Sequence, residues 1–350
     1  MDLTVNLTSL GFEAGLSADE RDLLSLRSRC ASLTVAGCAH AVFAYKLLSL
    51  LRKKVNAENT HLCVGVVGAG LMGKQLATAL LSASRLEPRH INISTRRPET
   101  LGEYSNMGVA CYFDNIRLAK WADMLFLCVL PCQLAQVCTD IGCHLSSGCL
   151  VYCFTSAVPL NRLAVLLNHS SVIKPQYEFV ACDDVSRIWL LHDQVTAALQ
   201  DKEVICASDP LSMNGGLFLD QRWLSAVLYS LLNMCTAQKL GSGKTLRLLN
   251  GLFETNTFTY HSFVHSPSAS DLNNPDDLSL LFGSLFPWIS LVGAQTRDTP
   301  LTDLVSRDKD LCHTWPNDFE MFPSIFDCAE PFTYTGYMLL INKSTRTGTT

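Results

Sequence analysis

The sequence predicts an α/β protein built on a doubly wound parallel sheet, with an N-terminal helical extension before it and a C-terminal, mostly helical domain after it. Three observations carry this. Short apolar runs alternate with helical patterns between residues 60 and 175, as βαβ units do. Met124–Leu130 is continuously apolar, as expected of a central parallel strand covered on both faces. A glycine-rich turn, Gly68-Ala69-Gly70-Leu71-Met72-Gly73, follows the first strand at once and opens a helix.

Taken in order, residues 1–60 read as the helical extension. Ser17 and Glu20 form an S-x-x-E capping box ahead of a helix through about Arg29, and a second helical run covers Thr34 to Val55. Residues 61–205 read as the sheet domain. Its strands are His61 to Val67, Ile91 to Thr95, Val109 to Tyr112, Met124 to Leu130, Cys149 to Phe154 and Val172 to Lys174. Helices are expected over Leu71 to Ser84, Glu99 to Met107 and Leu160 to Leu167, and a strand-like patch over Val204 to Cys206. Residues 206–310 read as the helical domain, with helices over Gln221 to Lys239, Lys244 to Phe258 and Asp277 to Val292. The tail, 311–350, is rich in proline and aromatics and shows no period.

Composition narrows the class. The 350 residues are 48% hydrophobic and 17% charged, with a net charge of −5. A disordered chain needs low hydrophobicity and high net charge. A nucleic-acid binder carries a basic excess, so no nucleic-acid partner is expected. The 15 cysteines are scattered, no C-x-x-C pair occurs, and Met1 to Leu16 lacks a basic stretch followed by a compact apolar run. These features point to reduced thiols packed as small hydrophobes and to a cytoplasmic location. Ala31 to Leu51 is apolar enough to test as a membrane span, but it contains His40 and Lys46; a buried helix is the expected outcome.

Gly68, Gly70 and Gly73 satisfy G-x-G-x-x-G in the required strand–turn–helix context. The first glycine permits the tight turn, the second lets a diphosphate approach the backbone, and the third lets helix and strand pack closely. The helix N-terminus then offers free N–H groups to the phosphates. This is a Rossmann-type dinucleotide site. The second strand ends Ser94-Thr95-Arg96-Arg97, with no acidic residue at its tip. An acid there holds the ribose hydroxyls of NAD; two guanidiniums suit a 2′-phosphate instead. NADP(H) is the expected cofactor.

The run from about 62 to 175 resembles the NADP-binding domain of pyrroline-5-carboxylate reductases. The likeness rests on the Gly68–Gly73 loop, on Ser94-Thr95-Arg96-Arg97, on Asn115, on the segment from Ala122 to Pro131, and on Thr155-Ser156-Ala157-Val158. It implies that Gly68, Ala69, Gly70, Leu71, Met72 and Gly73 face the diphosphate, and that Thr95, Arg96 and Arg97 hold the 2′-phosphate. It also implies that Asn115 lies near the adenosine ribose, and that Val129, Leu130, Pro131, Ser156 and Ala157 lie along the cofactor toward the nicotinamide. A homodimer through the C-terminal helices is a further implication. The likeness has limits: Leu130 stands where the family has lysine, and Lys174-Pro175-Gln176-Tyr177-Glu178 replaces its Asn-Thr-Pro type segment. Ser266-Pro267-Ser268-Ala269-Ser270 lacks the glycines of its imino-acid loop.

Two acid–base candidates follow from position. Lys174 ends a sheet strand, where ligands of open α/β sheets gather, and Tyr177 is close behind; for both, a purely structural role is the alternative. No metal site is expected, since His261 and His265 have no evident third ligand. Ser242-Gly243-Lys244-Thr245 fails the phosphate-loop spacing and reads as a helix start. The functional expectation is an NADP(H)-dependent oxidoreductase acting on a small imine or carbonyl substrate. The alternatives are a catalytically inactive NADP(H)-binding sensor or scaffold, and a membrane-attached reductase.

Overall fold

The computed structural model describes residues 15, 17–55, 61–84, 86–180, 185–192, 194–209, 215–253, 257–264 and 284–307. The short helix α1 (Ala18–Asp22) opens on the expected capping box: Glu20 N–H donates to Ser17 Oγ at 3.3 Å, and Ser17 N–H donates to Glu20 Oε2 at 2.8 Å. Helix α2 (Leu24–Val55) is continuous over 32 residues, where the sequence suggested two runs. The hydroxyls near the expected break turn back onto the helix itself, Ser32 Oγ onto Arg29 O and Thr34 Oγ1 onto Cys30 O, so neither interrupts the ladder.

Val35 through Tyr45 are all buried, a helix apolar on every side, as befits the centre of a core. Helix residues Leu26–Val55 are long and apolar enough to cross a membrane, and 72% of the most apolar window lies buried within the fold. Val35, Phe43, Leu47 and Leu51 share one apolar cluster with the sheet residues Val64, Ile93, Phe126 and Tyr152 and with the C-terminal residues Trp223 and Leu231. The extension is therefore part of the main core, not a unit beside it.

The sheet domain then runs β1 (Val64–Val67), α3 (Leu71–Ala83), β2 (Ile91–Ser94), α4 (Gly102–Asn106), β3 (Ala110–Tyr112), α5 (Asn115–Trp121), β4 (Met124–Leu127), α6 (Pro131–Gly142), β5 (Leu150–Cys153), α7 (Leu160–Leu167) and β6 (Val172–Ile173). The six strands lie in the order β3-β2-β1-β4-β5-β6, with every pair parallel. Val64 pairs with Ile91 on one side and Met124 on the other. The strand order reverses at β1, which places a crevice at its carboxyl end. All residues of β1, β4 and β5 are buried, which accounts for their unbroken apolar runs.

Beyond the sheet come β7 (Tyr177–Phe179), α8 (Val195–Ala198), α9 (Lys202–Ala207), β8 (Leu217–Leu219), α10 (Gln221–Ala237), α11 (Ser242–Leu252), α12 (Tyr260–Phe263), α13 (Leu291–Thr296) and α14 (Pro300–Arg307). Strands β7 and β8 form an antiparallel pair not expected from the sequence. Val204–Cys206, expected as strand-like, belongs to helix α9, whose start is fixed by Asp201 accepting from Glu203 N–H. Of the helix expected through Val292, the described residues 284–290 are not helical, and a separate helix begins at Leu291. Leu285 instead makes an antiparallel bridge with Gly241, and Pro287 cannot sit inside a helix without losing a hydrogen bond; residues 277–283 of that expectation lie outside the described ones. Helix α11 stops at Leu252, and Asn250 then clamps Phe258 through both its amide groups. Residues 223–233 of α10 are all buried within the chain, so this stretch of α10 has no free face for the homodimer expected of the C-terminal helices. His265, Ser266–Ser270 and the tail lie outside the described residues.

Candidate functional site

The turn after β1 is shaped by its glycines. Gly68 has φ +93°, and a Cβ there would stand 2.9 Å from Val129 Cγ1. A Cβ on Gly73 would lie 1.9 Å from Gly68 O, so only glycine lets α3 start this close to the strand. Gly70 differs: a Cβ there would meet nothing within 4 Å, so its bare backbone faces open space. Lys74 N–H donates to Gly70 O, the first bond of α3, and no side chain caps the helix. Its first N–H groups and the positive end of its dipole are directed at that space.

Ser94, buried at the end of β2, donates to Asn115 Oδ1 at 2.7 Å and accepts from Asp114 N–H. It thus locks the start of α5 beside the glycine turn. Thr95 N–H donates to Tyr112 O, which aims the following residues outward. Arg96 and Arg97 are exposed, and among the described residues neither guanidinium has an ion-pair or hydrogen-bond partner. On the other side of the crevice, β4 runs into Leu130 and Pro131, and α6 begins with proline at its first position and no side-chain cap. Thr155 Oγ1 donates to Val129 O at 3.0 Å, tying the β5 end to the β4 end.

These walls enclose a cleft of about 1150 Å³. It is lined by Gly68, Ala69, Gly70, Leu71, Met72, Thr95, Arg96, Arg97, Asn115, Val129, Leu130, Pro131 and Ser156, thirteen of the fifteen positions the sequence suggested for the cofactor. Gly73 works from behind, as the contact between α3 and the turn. Ala157 is exposed and outside the lining.

Lys174 and Tyr177, the acid–base candidates, are also outside the lining. Lys174 is only 7% exposed. Its ammonium donates to Ser156 O at 2.8 Å and to Val158 O at 2.6 Å, and burial lowers its pKa. The Tyr177 hydroxyl lies 2.8 Å from His40 Nδ1, and His40 Nε2 lies 2.7 Å from Ser208 O. A carbonyl can only accept, so Nε2 carries the proton and Tyr177 donates to Nδ1. Burial holds His40 neutral, with its pKa down at about 4, and pushes that of Tyr177 well above the usual phenol value. Both candidates are thus structural: one clamps the loop bordering the cleft, the other joins α2 to β7.

Several lining residues escaped the sequence reading. Thr34 comes from α2. One turn further along, Gly37 lets that helix approach Phe154, since a Cβ there would stand 3.4 Å from the ring. Lys74, Phe113, Cys128 and Cys132 also line the cleft. A periodic signal did exist for α6: Leu134, Cys138 and Ile141 follow Pro131 at helical spacing and are its buried face. Nothing local in the sequence could have brought Thr34 to this site.

The fold and cleft define an α/β protein with the dinucleotide-binding architecture of an oxidoreductase. Comparison with known proteins agrees. The family described as NADP oxidoreductase coenzyme F420-dependent matches residues 63–151. The mouse (Mus musculus) NADP-dependent oxidoreductase domain-containing protein 1 is 36% identical over 330 residues, spanning 87% of this chain and 89% of its own length. The chain belongs to the family of that protein, which is related to the pyrroline-5-carboxylate reductases. The Escherichia coli (strain K12) pyrroline-5-carboxylate reductase is 27% identical over 111 residues, 31% of this chain and 41% of its own. The solved pyrroline-5-carboxylate reductase of Coxiella burnetii is 15% identical, covers 81% of this chain and 91% of its own, and has a TM-score of 0.32.

Proposed function

We propose that this chain is an NADP(H)-dependent oxidoreductase that moves hydride to or from a small imine or carbonyl substrate. The observation that carries the reading is the pairing, in one cleft, of an uncapped helix start at Gly70 with two guanidiniums, Arg96 and Arg97, that have no partner among the described residues. One suits a diphosphate and the other a ribose 2′-phosphate.

When bound, NADP(H) supplies the hydride itself. The chain's own residues do the holding. The N–H groups of α3 receive the diphosphate, Thr95 with Arg96 and Arg97 the 2′-phosphate, and Asn115, pinned by Ser94, the adenosine ribose. Val129–Pro131 and Ser156 border the nicotinamide side. Thr155 ties the second of these loops to the first, and Lys174 anchors it to the end of β6, which keeps the reacting face in place. Met72, Phe154 and α2 at Gly37 supply an apolar wall that excludes water.

One observation favours a second reading, an NADP(H)-binding sensor without turnover. The ionisable lining residues are Lys74, Arg96, Arg97, Asp140 and two cysteines. Burial, followed by the thiols of Cys38 and Cys153, pushes the Cys128 pKa well above its usual value. None of the lining residues is a histidine or a tyrosine, and the guanidiniums hold their protons tightly, so a proton for substrate nitrogen or oxygen would come from Lys74, Cys132 or solvent.

The test mixes the protein with NADPH and a panel of imines and carbonyls. Coenzyme oxidation supports turnover; binding without oxidation across the panel supports the sensor. Thermal shifts with NADPH and NADH in parallel test the coenzyme preference. At 100 times Kd a ligand stabilises by ~2.7 kcal/mol, a shift of a few degrees, and a larger response to NADH overturns the assignment of Arg96 and Arg97. A cytoplasmic location, a small-molecule substrate and the absence of nucleic-acid and membrane partners belong to the same proposal.

A further inference from the structure

We propose that His61, Glu87 and His90 form a site for a divalent transition metal, zinc by preference, at the edge of the sheet opposite the coenzyme cleft. His61 precedes β1 and His90 immediately precedes β2, and these two strands are neighbours in register at Val64 and Ile91. The pairing of the strands therefore brings both imidazoles to one point at the amino-terminal edge. One ligand atom from each of the three side chains lies within 4.8 Å of the other two.

The arrangement is partly built before any ion arrives. Pro88 starts the 3₁₀ turn, and His90 N–H donates to Glu87 O at 2.9 Å, so Glu87 and His90 are held on one short turn. The His61 and His90 rings stack, with centroids 4.3 Å apart and planes 15° from parallel. Stacked rings do not aim their lone pairs at one point. Because His61 is exposed, rotation of its side chain is enough to turn its nitrogen toward the centre. The Nδ1 atom of His90 is enclosed by protein and has no hydrogen-bond partner among the described residues, so the ring has coordinating capacity that the protein does not use.

The donor set selects the ion. Two imidazoles and a carboxylate suit zinc, copper or nickel, whereas calcium and magnesium require mostly oxygen ligands. Three protein ligands leave a fourth position for water, as in open zinc sites. Arg89 competes: its Nε donates to Glu87 Oε2 at 2.7 Å. That contact engages one carboxylate oxygen and leaves the other for the ion. Arg89 is itself largely exposed and can swing away.

The test uses the full chain without an affinity tag, titrated with Zn²⁺ by calorimetry, and with Co²⁺ followed by absorption. Loss of even an outer partner weakens metal sites by about 10- to 100-fold, so His61→Ala and Glu87→Gln should each weaken binding at this site by at least about tenfold. Both positions are exposed, and metal-free melting should not change. The Co²⁺ complex should show d–d bands without a thiolate-to-cobalt charge-transfer band. Unchanged affinity in both variants, or a spectrum dominated by thiolate charge transfer, overturns the proposal and places the ion on the cysteines.

Discussion

Substituting Gly70 with alanine separates coenzyme binding from folding. The backbone at Gly70 has φ −71° and ψ −166°, a conformation any residue adopts, and a methyl group there meets no protein atom within 4 Å. Two small effects on stability oppose each other. Alanine is a poorer N-cap than glycine, while loss of a glycine stabilises by about 0.4–1 kcal/mol through the unfolded chain. The net change should stay within about 1 kcal/mol. Binding behaves differently, because the methyl group occupies the space through which a diphosphate reaches the α3 N–H groups. A hydrogen bond to a charged group is worth about 1.5–3 kcal/mol, so losing one weakens NADPH about 10- to 150-fold. Gly68→Ala is the contrasting control. It forces a side chain into φ +93° and within 2.9 Å of Val129, so it should lower the melting temperature of the free protein as well. The assays are thermal melts of the free proteins and fluorescence titration with NADPH. Wild-type affinity in Gly70→Ala would refute the assigned role of the turn.

Other consequences can be checked in the same preparations. Replacing Arg96 and Arg97 together with serine should weaken NADPH by at least about tenfold and leave NADH nearly unchanged; equal losses for both coenzymes would place the guanidiniums elsewhere. His40 is held neutral, with a folded pKa of about 4 against an ordinary 6.5. The unfolded chain therefore binds the extra proton first, and stability should fall as pH drops from 6.5 toward 4. His40 should add a slope approaching 1.4 kcal/mol per unit, about 3 kcal/mol in all, so denaturant melts across that range should show a steeper fall for wild type than for His40→Gln by that amount. Cys132 is exposed and lines the cleft, whereas Cys30 and Cys143 are exposed outside it. Of these three, saturating NADPH should slow alkylation of Cys132 only, read peptide by peptide in a mass spectrometer. Removing residues 1–55 takes the largely buried segment Val35–Leu51 out of the core, and the shortened chain should fail to give a cooperative melt.

Local chemistry made much of this protein legible in its sequence. The Gly68–Gly73 spacing, the unbroken apolar strands and the arginines after Ser94 each act over a few residues. Glycine requirements and two-sided burial are short-range demands, so the sheet and much of the cleft lining could be read directly. What failed depended on partners distant along the chain. Thr34 reaches the cleft because Gly37 lets α2 lie close to Met72 and Phe154. The apolar character that made Ala31–Leu51 resemble a membrane span serves a core helix equally well, and only its neighbours distinguish the two. Lys174 ended a strand where catalytic groups gather, but the carbonyls of Ser156 and Val158 take up its ammonium, and no local rule foretells that. The His61–Glu87–His90 group likewise exists only because β1 and β2 pair. Sequence alone determined the parallel sheet, its glycine turn and the phosphate-binding chemistry that turn can offer; tertiary structure decided the β7–β8 pair, the helical state of Val204–Cys206 and which side chains face one another, because these depend on contacts between residues far apart in the chain.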